Sequence, residues 1–157
     1  MPRLVVISVD STALENGMLD ELKQYASIPD GGNDAVLLQT LKNAALRVQE
    51  YADRPFLPTQ LRVSLTVPVS GIVSLYMGGG TIEEVVDEEG NAVEYVSMAD
   101  GRLRVGAKGK PVVITYTTEP TEADVLLLKQ TVIRYATADF DGAETQELNH
   151  ILTEARV

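Results

Sequence analysis

The chain has 157 residues, 45% of them hydrophobic, enough to bury one core without a metal or disulfide to hold it. The absence of cysteine excludes a disulfide framework, a thiolate zinc site, an iron–sulfur cluster and a cysteine nucleophile. Thirteen basic against 23 acidic residues leave a net charge of −10, which repels phosphate backbones and anionic lipid surfaces and argues against a protein that grips DNA.

Periodicity divides the chain into a helical first third, a strand-rich middle and a helical end, with no internal repeat and no low-complexity stretch, an order that predicts an α+β fold. The apolar run at 4–9 is too brief for a signal peptide or a membrane span, so the protein is expected to be made in the cytoplasm and to carry no membrane segment. That run reads as a short strand, an arm that pairs either within the subunit or across subunits. A first helix is expected over 13–27, where Leu14, Met18, Leu22, Tyr25 and Ala26 recur at helical spacing, ended by Pro29 and the Gly31-Gly32 pair.

The second helix is the clearest. It starts with Asn33 or Asp34 as N-cap, carries Leu38, Leu41, Ala45, Val48 and Ala52 on one face, and is stopped by Asp53, Arg54 and Pro55. From Gln60 the period becomes two: Leu61, Val63, Leu65, Val67 and Val69 alternate with polar residues and Pro68, which places that strand at an edge or breaks it there. Shorter strands are expected at 72–77, 81–86, 92–96, 102–105 and 111–117, joined as hairpins by glycine-bearing turns into a small antiparallel sheet. Thr121 and Asp124 carry a capping signal for a third helix reaching about residue 139, apolar around most of its circumference and so central to the core. A last short helix over 143–155 sets Leu148, Ile151 and Leu152 on one face.

Few residues suggest chemistry. His150 is the only histidine, which excludes histidine-pair metal motifs, and it reads as a surface or interface residue. Asp87, Glu88 and Glu89 before Gly90 lack the alternating ligands of a calcium loop and read as a solvated turn. Gly78-Gly79-Gly80 lacks the lysine and hydroxyl of a phosphate loop and reads as a flexible turn. Asp139, Asp141 and Glu144 are dense enough to consider for a cation, but their place at a helix junction fits capping and solvation better. The aromatic content of 5%, without tryptophan, leaves no stacking platform. No catalytic residue, metal ligand or cofactor site is therefore assigned, and the chain is read as a non-enzyme.

Two stretches together carry a resemblance. One is NDAVLLQTLKNAALRVQEYADRPF, a helix beginning near an acidic residue, with Ala44 and Ala45 in its middle and then Tyr51, Arg54 and Phe56. The other is VVITYTTEPTEADVLLLKQTVIRYATADF, a closing strand ending in Tyr116, a linker and a long helix. In order of elements over about residues 19–140, the chain resembles the head-to-tail connector (adaptor) family of long-tailed bacteriophages, which places a β insertion between these stretches. Its linker at 117–122 and the end of its long helix depart from the family pattern, and its N-terminal strand has no counterpart there. The resemblance implies one connector domain, a small helical bundle (about 11–56 and 121–157) with an inserted antiparallel β-hairpin subdomain (about 57–118). It also implies a homo-oligomeric ring of twelve subunits in the virion, at the head–tail junction. The partners implied are the portal protein and tail or stopper proteins, with DNA passing through unbound. The alternatives are another phage tail-completion or assembly factor and a small ligand-binding module. Unpaired strand edges and a helix too short to stand alone mark Leu4, Val6, Leu148, Ile151 and Leu152 as candidate contacts to neighbouring subunits or the portal.

Overall fold

The computed structural model describes residues 2–28 and 33–153. It is an α+β protein of two compact units. The described residues up to Val9 join Pro58–Glu119 in a β unit, and the remainder, from Asp10 to Leu57 and from Pro120 onward, forms a helical unit. The two stretches of each unit are distant in sequence, so each unit is closed by long-range contacts.

In the helical unit the first helix opens with one wide π turn over Leu14–Met18 and continues as α1, Leu19–Ala26. The register thereby stretched puts Leu14, Met18 and Leu22 on one buried side. Ser27 takes a left-handed conformation (φ 55°) and the Ile28 N–H bonds the Lys23 carbonyl at 2.9 Å, closing the helix before Pro29. The expected stop at Pro29 and Gly31-Gly32 lies outside the described residues. α2, Asp34–Ala52, begins after Asn33 without a side-chain cap, its Leu37 N–H bonding the Asn33 carbonyl instead. Its buried face is Leu37, Leu41, Ala44, Ala45 and Val48, rotated slightly from the expected one so that Leu37 takes the place of Leu38.

α3, Glu122–Phe140, begins as its sequence signals. The Asp124 N–H donates to the Thr121 hydroxyl at 3.1 Å and the Thr121 N–H to the Asp124 carboxylate at 3.2 Å, a reciprocal pair that satisfies two otherwise orphaned donors. Leu128, Val132, Ile133, Tyr135 and Ala136 are buried, and α2 and α3 make the main helix–helix contact of the unit. The second turn departs from the expectation of a helix apolar and buried on most sides, because Leu126 and Leu127 are exposed. α4, described over Thr145–Thr153, packs on α3 and α2.

Gln49, on the buried side of α2, was not signalled by the apolar pattern. It is 2% exposed, and its side-chain oxygen accepts from the Phe56 and Leu57 N–H groups, each at 3.1 Å. Two donors that leave the helix with no ladder to join are satisfied by this one amide. The turn it holds, through left-handed Asp53 (φ 50°), buries Phe56 and Leu57.

The β unit holds two antiparallel sheets. β1 (Arg3–Val9), β2 (Thr59–Thr66), β7 (Pro111–Thr118) and β4 (Gly80–Asp87) form one, in the order β1-β2-β7-β4. β3 (Ile72–Ser74), β6 (Arg102–Val105) and β5 (Tyr95–Ser97) form the other, in the order β3-β6-β5. The expected chain of sequential hairpins is replaced by nested pairing. Between Pro58 and Glu119 only β5 and β6 are successive strands that pair; β2 pairs with β7 across some fifty residues and β3 with β6. β2 stops at Thr66, so of the two readings of Pro68 the break holds, since β2 is an interior strand. Leu61, Val63, Val73, Met77, Val85, Leu103, Val105, Val112, Ile114 and Tyr116 form the core of this unit.

The glycine run is not the flexible turn it resembles in sequence. A Cβ on Gly80 would stand 1.9 Å from the Thr117 carbonyl oxygen, and one on Gly101 would stand 2.5 Å from Gly78. The two backbones meet where only hydrogen fits, with left-handed φ at Gly79 and Gly101. Tyr116, fully buried, donates its hydroxyl to the Tyr76 carbonyl at 3.1 Å and fastens the arch from inside.

Three outcomes follow for urea or thermal unfolding. Leu41→Ala and Leu128→Ala, both at fully buried positions, are expected to cost about 2–5 kcal/mol each by cavity formation. Gln49→Leu should cost about 1–3 kcal/mol or more, because two buried N–H groups lose their acceptor. Gly80→Ala, at the head of β4, should destabilise the β unit more than Gly90→Ala, where a Cβ meets nothing within 4 Å and only the left-handed backbone (φ 83°) opposes alanine; equal losses would show that the arch relaxes freely.

Candidate assembly surface

β1 sits at an edge, and its exposure is its main property. Leu4 pairs with Val63 and Val6 with Leu61, so their side chains lie on the sheet face that forms the core, yet they are 38% and 52% exposed. Val5 and Ile7, on the opposite face or at the irregularity between Val6 and Ser8, are exposed as well. A strand apolar on both faces is built for two-sided cover, and β1 has little on either. The arm pairs within its own subunit on one side; its other hydrogen-bonding edge faces outward.

The opposite edge is protected. β4 carries a bulge between Ile82 and Glu84, exposed carboxylates at Glu83 and Glu84, and a covering segment: the Val93 N–H bonds the Val85 carbonyl and the Asp87 N–H the Asn91 carbonyl, each at 2.9 Å. Bulges, charge and cover are the usual devices that stop a sheet from growing. A polar row crosses all four strands: Ser8 donates to the Gln60 side chain at 3.4 Å, and Gln60 and Thr117 both donate to the Glu83 carboxylate. The Thr117 hydroxyl and then the Gln60 amide hold the Glu83 carboxyl below its ordinary pKa by favouring the charged form. A depressed carboxyl adds stability that is fully present above its unfolded pKa and is lost as pH falls through the folded value, so this row weakens in acid.

The terminal residues marked in sequence are separated by the structure. Leu4 and Val6 lie in the β unit, whereas Leu148 is half-buried and Ile151 and Leu152 are each 6% exposed among the helices of their own unit. The apolar side of α4 is thus covered by α2 and α3. The described part of this segment, expected to serve partners rather than the monomer, contributes to the monomer's core; residues 154–157 lie outside the described part.

The remaining candidates take structural roles. Asp87 accepts from the Glu89 and Asn91 N–H groups at 3.0 and 2.9 Å and so shapes the turn before Asn91. Asp10 accepts from the side chain and N–H of Thr12, which lower its pKa. Asp141 caps the end of α3, and His150 is exposed on α4. Among the described residues no group of three or more histidines or carboxylates is arranged to hold a metal ion, and no helix is long and apolar enough to cross a membrane. Charge is uneven: the stretches of the helical unit carry fifteen acidic and seven basic residues, those of the β unit eight and six.

No protein-family model matches the chain, and no curated protein matches it by sequence. Solved structures do match it. A chain in the structure titled "Neck of empty GTA particle computed with C6 symmetry" is 21% identical with a TM-score of 0.67, covering 100% of this chain and 95% of its own. A chain in "Neck of native GTA particle computed with C12 symmetry" is 20% identical with a TM-score of 0.65 over the same shares. A third, in "Virion of native gene transfer agent (GTA) particle", is 20% identical with a TM-score of 0.66, over 98% and 95%. The likeness runs from end to end and covers both units, so this chain shares the fold of those particle components.

Proposed function

We propose that the chain is a structural subunit of a virion neck, assembling with copies of itself into a ring between the portal and the tail. The observation that carries this reading is the end-to-end likeness of fold to chains from symmetric neck assemblies. The connector-like order of elements in the sequence supports it independently. Within such a ring, twelve copies dock on the portal protein, receive tail or stopper proteins, and extend the channel through which DNA leaves the head. The protein acts by shape and contact rather than by catalysis, and Leu4 and Val6 serve its interfaces.

Charge supports the conduit role. A protein gains non-specific affinity for DNA by replacing condensed counterions with lysine and arginine, and a surface dominated by carboxylates denies DNA those contacts. The excess of acid in the helical unit therefore suits a wall past which DNA slides.

Two measurements test this. Negative-stain imaging of the protein mixed with its portal should show an added ring of about twelve subunits on the portal's tail-side face; failure to bind at micromolar concentration would overturn the reading. The purified protein should leave duplex DNA unretarded at about 0.15 M salt, near physiological ionic strength, and micromolar binding there would remove the conduit role.

A further inference from the structure

We infer that the outer edge of β1 is the joint between successive copies of this chain, and that it receives the β5 edge of the next copy. The inference rests on the ring reading above and names the surfaces that close it.

β1 presents an edge with no covering segment and no carboxylate between Arg3 and Val9, its Leu4, Val5, Val6 and Ile7 all exposed. On one face, Leu4 and Val6 continue the row begun by Val63 and Leu61, so a strand added there would extend an existing core. A complementary edge exists on the same unit. β5 is the terminal strand of the three-stranded sheet, its three residues are all exposed, and Tyr95 and Val96 are large and apolar at 41% and 64% exposure. A shallow groove of about 480 Å³ runs beside it, lined by Val93, Glu94, Tyr95, Val96, Arg104 and Gly106.

Placement decides which pairing is favoured. The segment leading into β5 is bonded to the outer edge of β4, while β2 and β7 separate β4 from β1. The β1 and β5 edges therefore stand on opposite flanks of the unit. Two different complementary surfaces on opposite flanks make a head-to-tail contact, the kind that propagates from copy to copy and closes into a ring when the rotation allows. A β1-to-β1 contact would instead make a two-fold dimer and stop. Charge agrees: β1 opens on Arg3, Glu94 directly precedes β5 and Asp100 sits in the turn that follows it, so carboxylates lie close to β5 in sequence for the guanidinium to meet.

The natural absence of cysteine makes a clean test possible. V6C, V96C and the double variant are treated with a short bis-maleimide, alone and in the portal mixture used for imaging. The expected result is a cross-linked pair from V6C mixed with V96C, a ladder of higher species from the double variant, and nothing comparable from either single variant alone. Self-linking of V6C would establish β1-to-β1 pairing and overturn the inference. Rings in the images without a V6C–V96C product would overturn it too and leave the neck reading intact. Neither rings nor product would reject both, whereas the product without rings would support the joint and reject the ring. Val6→Lys should keep the parent's melting behaviour and lose assembly; should it unfold, Val5→Lys on the other face serves in its place. Intact assembly in a folded lysine variant would defeat the inference.

Discussion

The pairing of β2 with β7 is the constraint on which the molecule depends. The chain passes from the helical to the β unit at Leu57–Pro58 and back at Glu119–Pro120, and the ladder from Gln60↔Thr117 to Thr66↔Pro111 brings those two crossings together. At the mouth of the ladder the Thr59 N–H bonds the Thr118 hydroxyl at 3.0 Å, with both residues buried. β1 and β4 then attach on either side, so this pair carries the whole four-stranded sheet. Because the segment leaves and returns at one place, the helical stretches before and after it can complete a single apolar core, with α2 against α3.

The two units solve the same problem by different means. The helical unit hides its apolar residues along helix faces and holds its one difficult turn with Gln49. The β unit cannot bury everything: the second sheet covers β2, β7 and β4 well enough to leave Val63, Ile114 and Val85 nearly inaccessible, but its cover ends before β1. The contrast between a guarded β4 edge and an open β1 edge is what gives the surface a direction. Natural sheets that end without protection usually end there for a reason.

Much of this was legible in the residues. The capping pair Thr121 and Asp124, the apolar spacing of α2 and the period-two run from Leu61 each follow from local geometry that the sequence encodes directly. What escaped was non-local. Which strands pair depends on tertiary closure, so the nested order replaced simple hairpins. Gln49 is polar at a position the pattern assigns to solvent or to the helix flank, and its two acceptor contacts appear only once residues 53–57 fold back over it. The glycine run was misjudged because a Cβ clash with Thr117 is a property of another strand. For the candidate surface, the arm at 4–9 was visible as a strand in search of a partner, and Leu4 and Val6 lie exposed in it. The partner itself, and the open far edge, needed the topology. Ile151 and Leu152 looked alike in sequence but are covered at home.

The register of β1 on β2 also sets an order of events in synthesis. Arg3 pairs with Ser64 and Val9 with Thr59, so the arm leaves the ribosome fifty to sixty residues before the strand that receives it. At translation rates of about 5–20 residues per second the arm waits roughly 3–12 s. β2 in turn waits for β7, its partners lying about 45 to 57 residues further along the chain, and α2 waits longer still for α3. During that interval the exposed apolar arm is without the strand that receives it. A nascent chain of this design has reason to be shielded by a holding chaperone, and crowding of many such chains on one message would favour premature strand exchange between them over orderly closure within each.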